Sequence, residues 1–516
     1  MKPFFIQSPK LRFILFLCCH FWWGIFLWGS ISRYGLGTSR DSAEYLFTSL
    51  NLLRGNGFAS FSGQPYVLWP PLYPILLAFI QRLGVSDPLD AAIILQVITF
   101  AWISFLLTWL FLKIFSRNLA FAFIGNALAG TGVALTMLFA GVGSDYLHIA
   151  LMLSMVYLST EYMTRGSFQT IWLMTLVSAL AMLQRYIGVS IMLTGMFVVF
   201  FYSRTTILER IKRVVLVSLS VIPVGMWILS IPASALERGG SSSLLENIYW
   251  FTVSASSWFF SYPVLLEHPV RMQMGLWAFW LLIVFCIVLL LTIRGPFLAE
   301  IPIFLFGSIY TITLLAISSL SYFNRLDERF VSQVFIPFIV LVLVAAETVL
   351  ETEFLKRANV KVAGSIIVFS ALLGVLGLST YQSVLLLQTV KEEGSGYTSR
   401  EWRNNQALGY WLQHLPEEEH LAFSNYPAGV AIHGWSEVLS SPRRTNPNPG
   451  VDGIVYPLDD YIPALFEVGK GSYLIWIEPN SYAHVYSVEE LRLVANIETL
   501  YENEDGGVYK LLPLGK

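Results

Sequence analysis

For most of this chain apolar residues do not alternate with polar ones but run on for close to twenty positions at a time. About 20 apolar residues in a helix cross roughly 30 Å of hydrocarbon. Such runs lie near Phe13 to Ile31, Ala91 to Ile114, Leu119 to Ala140, Tyr146 to Met163, Phe168 to Leu183, Ile187 to Tyr202, Val214 to Ile231, Met274 to Ile293, Ile301 to Ser319, Val331 to Leu350 and Val362 to Val390. That predicts about eleven crossings, with the short Phe168 and Ile187 runs readable as one interrupted hairpin. Two stretches between the first and second runs follow a different pattern. Ser42 to Arg54 sets Tyr45, Leu46, Leu50 and Leu53 on one helical face and polar residues on the other, as an interfacial helix does. Leu72 to Leu83 is apolar but too short to span, so it predicts a second surface helix, entered through the rigid bend Trp69-Pro70-Pro71.

After Lys391 polar and turn residues return in EEGSGY, NPNPGVDG and NEDGGVY. The remainder, about 125 residues, is close to ordinary domain size. Helical spacing covers Ser399 to Leu415, Asp459 to Val468 and Val488 to Val494; Leu421 to Ser424 and Tyr473 to Ile477 read as buried strands, and Ile497 to Leu512 as a hairpin about Asp505-Gly506-Gly507. The expected fold is therefore mainly α: a polytopic transmembrane helical bundle over 1–390, with interfacial helices in an outward loop 32–90, and a small extracytoplasmic α/β domain over 391–516.

Composition sharpens this. The chain is 55% hydrophobic and only 13% charged, with a mean hydropathy of +0.62, far from a soluble balance of about 25% charged residues. A net charge of −2 offers no basic field for nucleic acid. Three cysteines, two of them the neighbours Cys18 and Cys19, build neither a disulfide framework nor a cysteine zinc site. No small-residue cleavage site follows the first run, which reads as a retained signal anchor. With a cytoplasmic N-terminus, Lys2, Lys10, Arg12, Lys113, Arg117, Arg165, Arg204, Arg210, Lys212, Arg213, Arg294, Lys356, Arg357 and Lys361 all fall inside. The Arg40 to Gly84 loop and the tail then face outward.

Ionisable residues at a membrane boundary are costly and mark candidate sites. Asp41 opens the amphipathic stretch: Asp41-x-x-Glu44 has the spacing of a capping box, and a capping carboxylate at the membrane surface is also placed to accept a proton from a hydroxyl. Asp145 stands at the outer end of the fourth run, where it or Ser144 could cap a helix. His148, one turn on, shares its face. The two could hold a divalent metal, with Asp41 as a further ligand, or His148 could simply be packed. Arg185 interrupts an apolar run and has no acid near it in sequence, though Asp145 is a possible partner in space. Arg325 and Arg329 flank Asp327 and Glu328, so phosphate binding and structural ion pairing compete there.

Taken together, Asp41, the stretch NLLRGNGF, the segment WPPLYPILLAF, Asp145 and LQRYIG at Arg185 make the chain resemble the C-type glycosyltransferases, in the branch of the protein O-mannosyltransferases and the lipid A aminoarabinose transferase. The match covers about the first 200 residues well and the later membrane part loosely, through ERFVSQVFIPF. The resemblance implies transfer of a monosaccharide from a polyprenyl-phosphate donor to a lipid, glycan or protein acceptor at the outer face, with inversion. It implies Asp41 as general base with Asp145 as the second catalytic acid, and Arg40, Glu44, Tyr45, Arg54, Arg185, Tyr186, Arg325 and Arg329 around the substrates. Two departures bear on metal use and sugar identity: Ser42 follows Asp41 where the mannosyltransferases have an Asp-Glu pair, and no acid-x-acid motif lies near Asp145. The chemistry agrees independently. A phosphate leaves without needing a proton, so one carboxylate plus cations is a sufficient set. Two rival classes remain: a secondary transporter or lipid flippase, against which stands the lack of two related halves, and an inactive scaffold binding a partner through tail aromatics such as Trp411, Trp435, Tyr456 and Trp476.

Overall fold

A computed structural model describes residues 8–232, 242–258, 280–291, 299–320, 326–351, 358–445, 455–466, 470–479 and 484–514. Arg325 and part of the Met274 to Ile293 run lie outside these. The chain divides into two compact units: Met1–Ser30, Trp69–Leu72 and Leu95–Thr389 form one, and Ile31–Leu68, Tyr73–Ile94 and Val390–Lys516 the other.

The first unit is a helical bundle. Among the described residues of the whole chain, seven helices are long and apolar enough to cross a membrane: Pro9–Ile31, Pro88–Ile114, Leu119–Ala140, Ile207–Leu229, Ile301–Leu320, Glu328–Glu351 and Val362–Glu393. Phe168–Gln184, Tyr186–Tyr202 and Trp280–Leu291 are apolar but shorter. The run expected from Tyr146 to Met163 forms the helix Asp145–Arg165, which is long enough but less apolar. Its position explains why. Nearly every residue from Asp145 to Met163 is buried, so Asp145, His148, Ser154, Ser159 and Thr160 face protein rather than lipid. Lipid-facing helices show the opposite pattern, with Phe21, Trp22 and Phe26 on the first and Val362, Ile366 and Ile367 on the last left exposed.

Buried polar groups tie helices together where apolar packing gives little selectivity in a membrane. His20 Nε2 bonds Asn126 Oδ1 at 3.0 Å, Thr108 donates to the same oxygen at 3.5 Å, and Asn126 Nδ2 donates to the Phe16 carbonyl at 3.3 Å. Gln96 Nε2 reaches the carbonyls of Leu138, Phe139 and Gly141, at 2.8 Å for the last. It thereby satisfies the open end of the Val133–Ala140 helix just before Asp145.

The second unit is built on a five-stranded mixed sheet, β1 (His420–Ser424), β2 (Leu439–Ser440), β3 (Gly471–Ile477), β4 (Ala495–Asn503) and β5 (Gly506–Pro513), in the order β2-β1-β3-β5-β4. β1 runs parallel to β2 and β3, while β5 is antiparallel to β3 and β4. β3 alternates as a strand covered on both faces must: Tyr473, Ile475 and Ile477 enter one core with Leu408, Trp411, Val430 and Ile432, and Leu474 and Trp476 enter the other with Leu465, Val488 and Leu491. The first core also contains Ala43, Phe47 and Phe61. The amphipathic stretch in the first loop is indeed a helix, Arg40–Arg54, but protein covers it. Ser42 through Ser49 are buried, and Ala43 with Phe47 seats it on the sheet domain, so it is not an interfacial helix lying on lipid. The second short helix, Leu72–Arg82, leaves Ile75 and Phe79, with Leu83 just beyond its end, 42%, 59% and 72% exposed.

Candidate active site

The Arg40–Arg54 helix presents Asp41, and its start is set by an unexpected residue. Ser39, in extended conformation, is the N-cap; its hydroxyl accepts the Ser42 amide at 3.4 Å, and the Ser42 hydroxyl accepts the Ser39 amide at 2.9 Å. The capping box is therefore Ser39 with Ser42, not Asp41 with Glu44. Asp41 lies inside the first turn, half-buried, where the helix dipole favours an anion. The helix is braced along its length. Gln81 Nε2 donates to Ser49 Oγ at 2.7 Å, Thr48 and Asn51 donate to the Ala59 carbonyl at 3.1 and 3.0 Å, and Gly55 in left-handed conformation closes the C-terminus.

Around Asp41 the expected substrate residues separate into distinct environments. Arg40 is exposed, and its charge reaches Arg443 and His484: burial lowers the pKa of both, and Arg40 adds to the shift in each. Glu44 is buried, and burial pushes its carboxyl up to about 7, with Asp41 adding to the rise and Arg40 opposing it. Tyr45 is a packing residue; its ring meets Tyr73 at 5.0 Å and Tyr66 at 6.5 Å, both edge-on. Arg54 is not with Asp41 at all. It closes the far end of the helix, about 20 Å along the axis at 1.5 Å per residue, where a cation suits the dipole.

The second acid sits in the helical bundle. Arg185 ends the Phe168–Gln184 helix in extended backbone, and a short turn Tyr186–Gly188 starts the next helix, Val189–Tyr202. The hairpin is tight at Gly188, where a Cβ would overlap the backbone of Ala181. This turn delivers Arg185 to Asp145, and the two form a buried ion pair with side chains 16% and 6% exposed. Arg185 also donates to Ser144 Oγ at 3.5 Å. Ser144 is the N-cap of the Asp145 helix but makes no side-chain capping bond, and Asp145 is turned to Arg185 instead. Gln184 Nε2 donates to the Ser144 carbonyl at 3.0 Å and Gln333 Nε2 to the Asp145 carbonyl at 3.2 Å, bracketing the acid from two sides. Two guanidinium groups lie near Phe330, with Arg185 at 5.2 Å and Arg329 at 5.8 Å from its ring. Arg329 is more open and pairs with Asp327 at 3.2 Å. Trp227 Nε1 donates to the Tyr186 hydroxyl at 3.3 Å.

Among the described residues no group of three or more His, Cys, Asp or Glu could hold a metal. Asp145 already has a cation in Arg185. His148 is fully buried near Tyr310, with both ring nitrogens unbonded. Among the described residues the Asp145–His148 pair has no third ligand, and its carboxylate is paired with a guanidinium. Ser39, Gln184, Gln333 and Phe330 were not singled out by sequence. The two glutamines were detectable in principle, since each is a lone amide in an apolar stretch, in MLQRYIG and FVSQVF.

No protein-family model matches this sequence, and no curated protein matches it. Solved structures do match in fold. ArnT from Cupriavidus metallidurans bound to undecaprenyl phosphate is 12% identical, with a TM-score of 0.56 over 98% of this chain and 98% of that one. Its apo state gives a TM-score of 0.57 over 96% and 97%. A mutant of the arabinofuranosyltransferase AftD from Mycobacteria gives 0.50 at 12% identity, covering 98% of this chain but 42% of that longer one. The chain therefore shares its fold with ArnT over nearly the whole length of both.

Proposed function

We propose that this protein is a multi-pass membrane glycosyltransferase that moves a monosaccharide from a polyprenyl-phosphate donor to an acceptor hydroxyl on the extracytoplasmic side, with inversion. The observation that carries the reading is the full-length likeness in fold to a structure solved with undecaprenyl phosphate bound. Asp41 is the general base. It takes the hydroxyl proton while the acceptor oxygen attacks the anomeric carbon opposite the phosphate, and the carbon–oxygen bond to phosphate breaks with its electron pair on the leaving group. Arg185 and Arg329, both near the Phe330 ring, supply the cations for that charge, and Asp145 holds Arg185 in place. The bundle crosses about eleven times with the N-terminus cytoplasmic, as the Lys and Arg distribution favours, which leaves residues 32–90 and 391–516 outside. Asp41→Asn keeps the shape of the side chain and removes the base. It should lower transfer by about 10²–10⁴-fold while leaving insertion and thermal stability intact. Undiminished turnover by that variant would refute the reading, as would lipid phosphate bound far from both acids.

A further inference from the structure

At one end of the helical bundle the charged side chains do not cancel. Residues 161–165 and 204–213 carry Arg165, Arg204, Arg210, Lys212 and Arg213 against two acids, Glu161 and Glu209. Each acid already has a cation on its own helix: Arg165 reaches Glu161 at 3.1 Å and Lys212 reaches Glu209 at 2.8 Å. Among the described residues, Arg204, Arg210 and Arg213 pair with no carboxylate. Local structure holds two of them together. Thr206 caps the helix Ile207–Ser218, which packs on Phe168–Gln184 and Val189–Tyr202, and Arg210 and Arg213 stand one turn apart on it. Arg210 turns back over the preceding loop, donating through Nε to the Thr205 carbonyl at 3.0 Å and through Nη1 to the Phe200 carbonyl at 3.4 Å. Arg213 donates through Nη1 to the Tyr162 hydroxyl at 3.0 Å, in the last turn of Asp145–Arg165, while its buried Nε has no hydrogen-bond partner. Neutral oxygens thus fix both guanidinium groups without cancelling their charge. A buried donor left over in such a place calls for an acceptor.

We propose that Arg210 and Arg213, with Arg204 in the loop before them, bind the phosphate of an acidic phospholipid. Planar guanidinium donors match phosphate oxygens. The rest of the ligand is set by what adjoins them: Ile207, Leu208, Ile211 and Val215 on the same helix are exposed, an apolar stripe at helical spacing that acyl chains cover and a free anion does not. The Lys and Arg distribution favours this end of the bundle as cytoplasmic, and the cytoplasmic leaflet is the anionic one, which attracts each basic residue near its surface. The site is not that of the donor phosphate. Phe200 lies in the last turn of Val189–Tyr202, whereas Arg185 precedes its first turn, and the helix separates them by about 17 Å at 1.5 Å per residue.

The test is native mass spectrometry of the full chain in detergent, titrated with phosphatidylglycerol or with phosphatidylcholine. The native protein should hold the acidic lipid about tenfold more tightly than the zwitterionic one. Replacing both arginines, Arg210→Gln with Arg213→Gln, should erase that preference, whereas Lys212→Gln, which removes a charge already paired with Glu209, should keep it. Equal retention of the two lipids by the native protein overturns the proposal, and so does an unchanged preference in the double variant. Should the double variant fail to fold, competition on the native protein decides. Phosphatidylglycerol that stays bound against an equal concentration of inorganic phosphate supports a lipid site; its displacement shows a site for free anions and overturns the lipid assignment.

Discussion

At Asp145 a sequence neighbour could not have named the partner: Arg185 lies 40 positions away and meets it only because the hairpin turns at Gly188. Sequence could show that Arg185 was out of place in an apolar run, and that Asp145 was near a helix start. It could not show that the two neutralise each other. Breaking one side of a buried pair strands a charge, which costs about 3–5 kcal/mol. Arg185→Ala should therefore lower the thermal midpoint sharply, and adding Asp145→Asn should recover part of the loss. Simple additivity of the two substitutions would contradict the pairing. Glu44 gives a second residue-scale prediction. Its folded pKa, about 7, is above its ordinary 4.5, so the native state holds the proton more tightly than the unfolded chain does. The contribution is fully present below pH 4.5 and is lost as pH rises to about 7, by roughly 3 kcal/mol at 1.36 kcal/mol per pKa unit. Chemical denaturation of the native protein and Glu44→Gln across that window should show the slope in the first and its loss in the second.

Among the elements, the long apolar runs and the alternating strands were legible because burial on all sides or on two faces leaves a period in the sequence. The Pro427–Gly434 helix was missed for the opposite reason. Pro427, Gly429 and Gly434 read as loop punctuation, yet Gly429 is where the helix lies against Trp402, and a Cβ there would overlap the indole. The single helix expected from Ser399 to Leu415 is two, because Asn405 stops one and caps the next through Leu408 at 2.8 Å. For the Arg40–Arg54 helix the periodicity was read correctly but its apolar face was given to lipid, since a hydrophobic stripe does not say what covers it. Its cap was also assigned two residues late. Ser39→Ala should cost about 1 kcal/mol and increase hydrogen exchange over the first turn around Asp41, while Asp41→Asn should leave that exchange unchanged. Reversed results would restore Asp41 as the cap.

On the scale of the whole molecule, the helical bundle and the small α/β tail were both visible from composition, whereas the sharing of a core between the first loop and the tail was not. Contacts between residues 43–61 and residues 408–477 leave no local trace in either segment. Removing the chain after Lys391 should thus do more than delete an accessory domain. It should expose Phe47 and Phe61, open residues 40–54 to protease and abolish transfer. A truncated protein that still turned over donor would show that the tail is dispensable for the Arg40–Arg54 helix. The tie at the base of this arrangement is short. Tyr397 donates to the Thr38 carbonyl at 3.0 Å, Thr38 to that of Ser395 at 3.3 Å, and Thr398 to that of Leu36 at 2.8 Å across 362 residues of sequence. Gly396 lies so close to the Thr38 carbonyl that no side chain fits. The segment leading into Asp41 is made early in synthesis, and the strand that anchors it emerges only after the last long helix. The contacts that fix the entry to the Arg40–Arg54 helix can therefore form only once residues 395–398 have been made, so the order of synthesis leaves this helix to be anchored last.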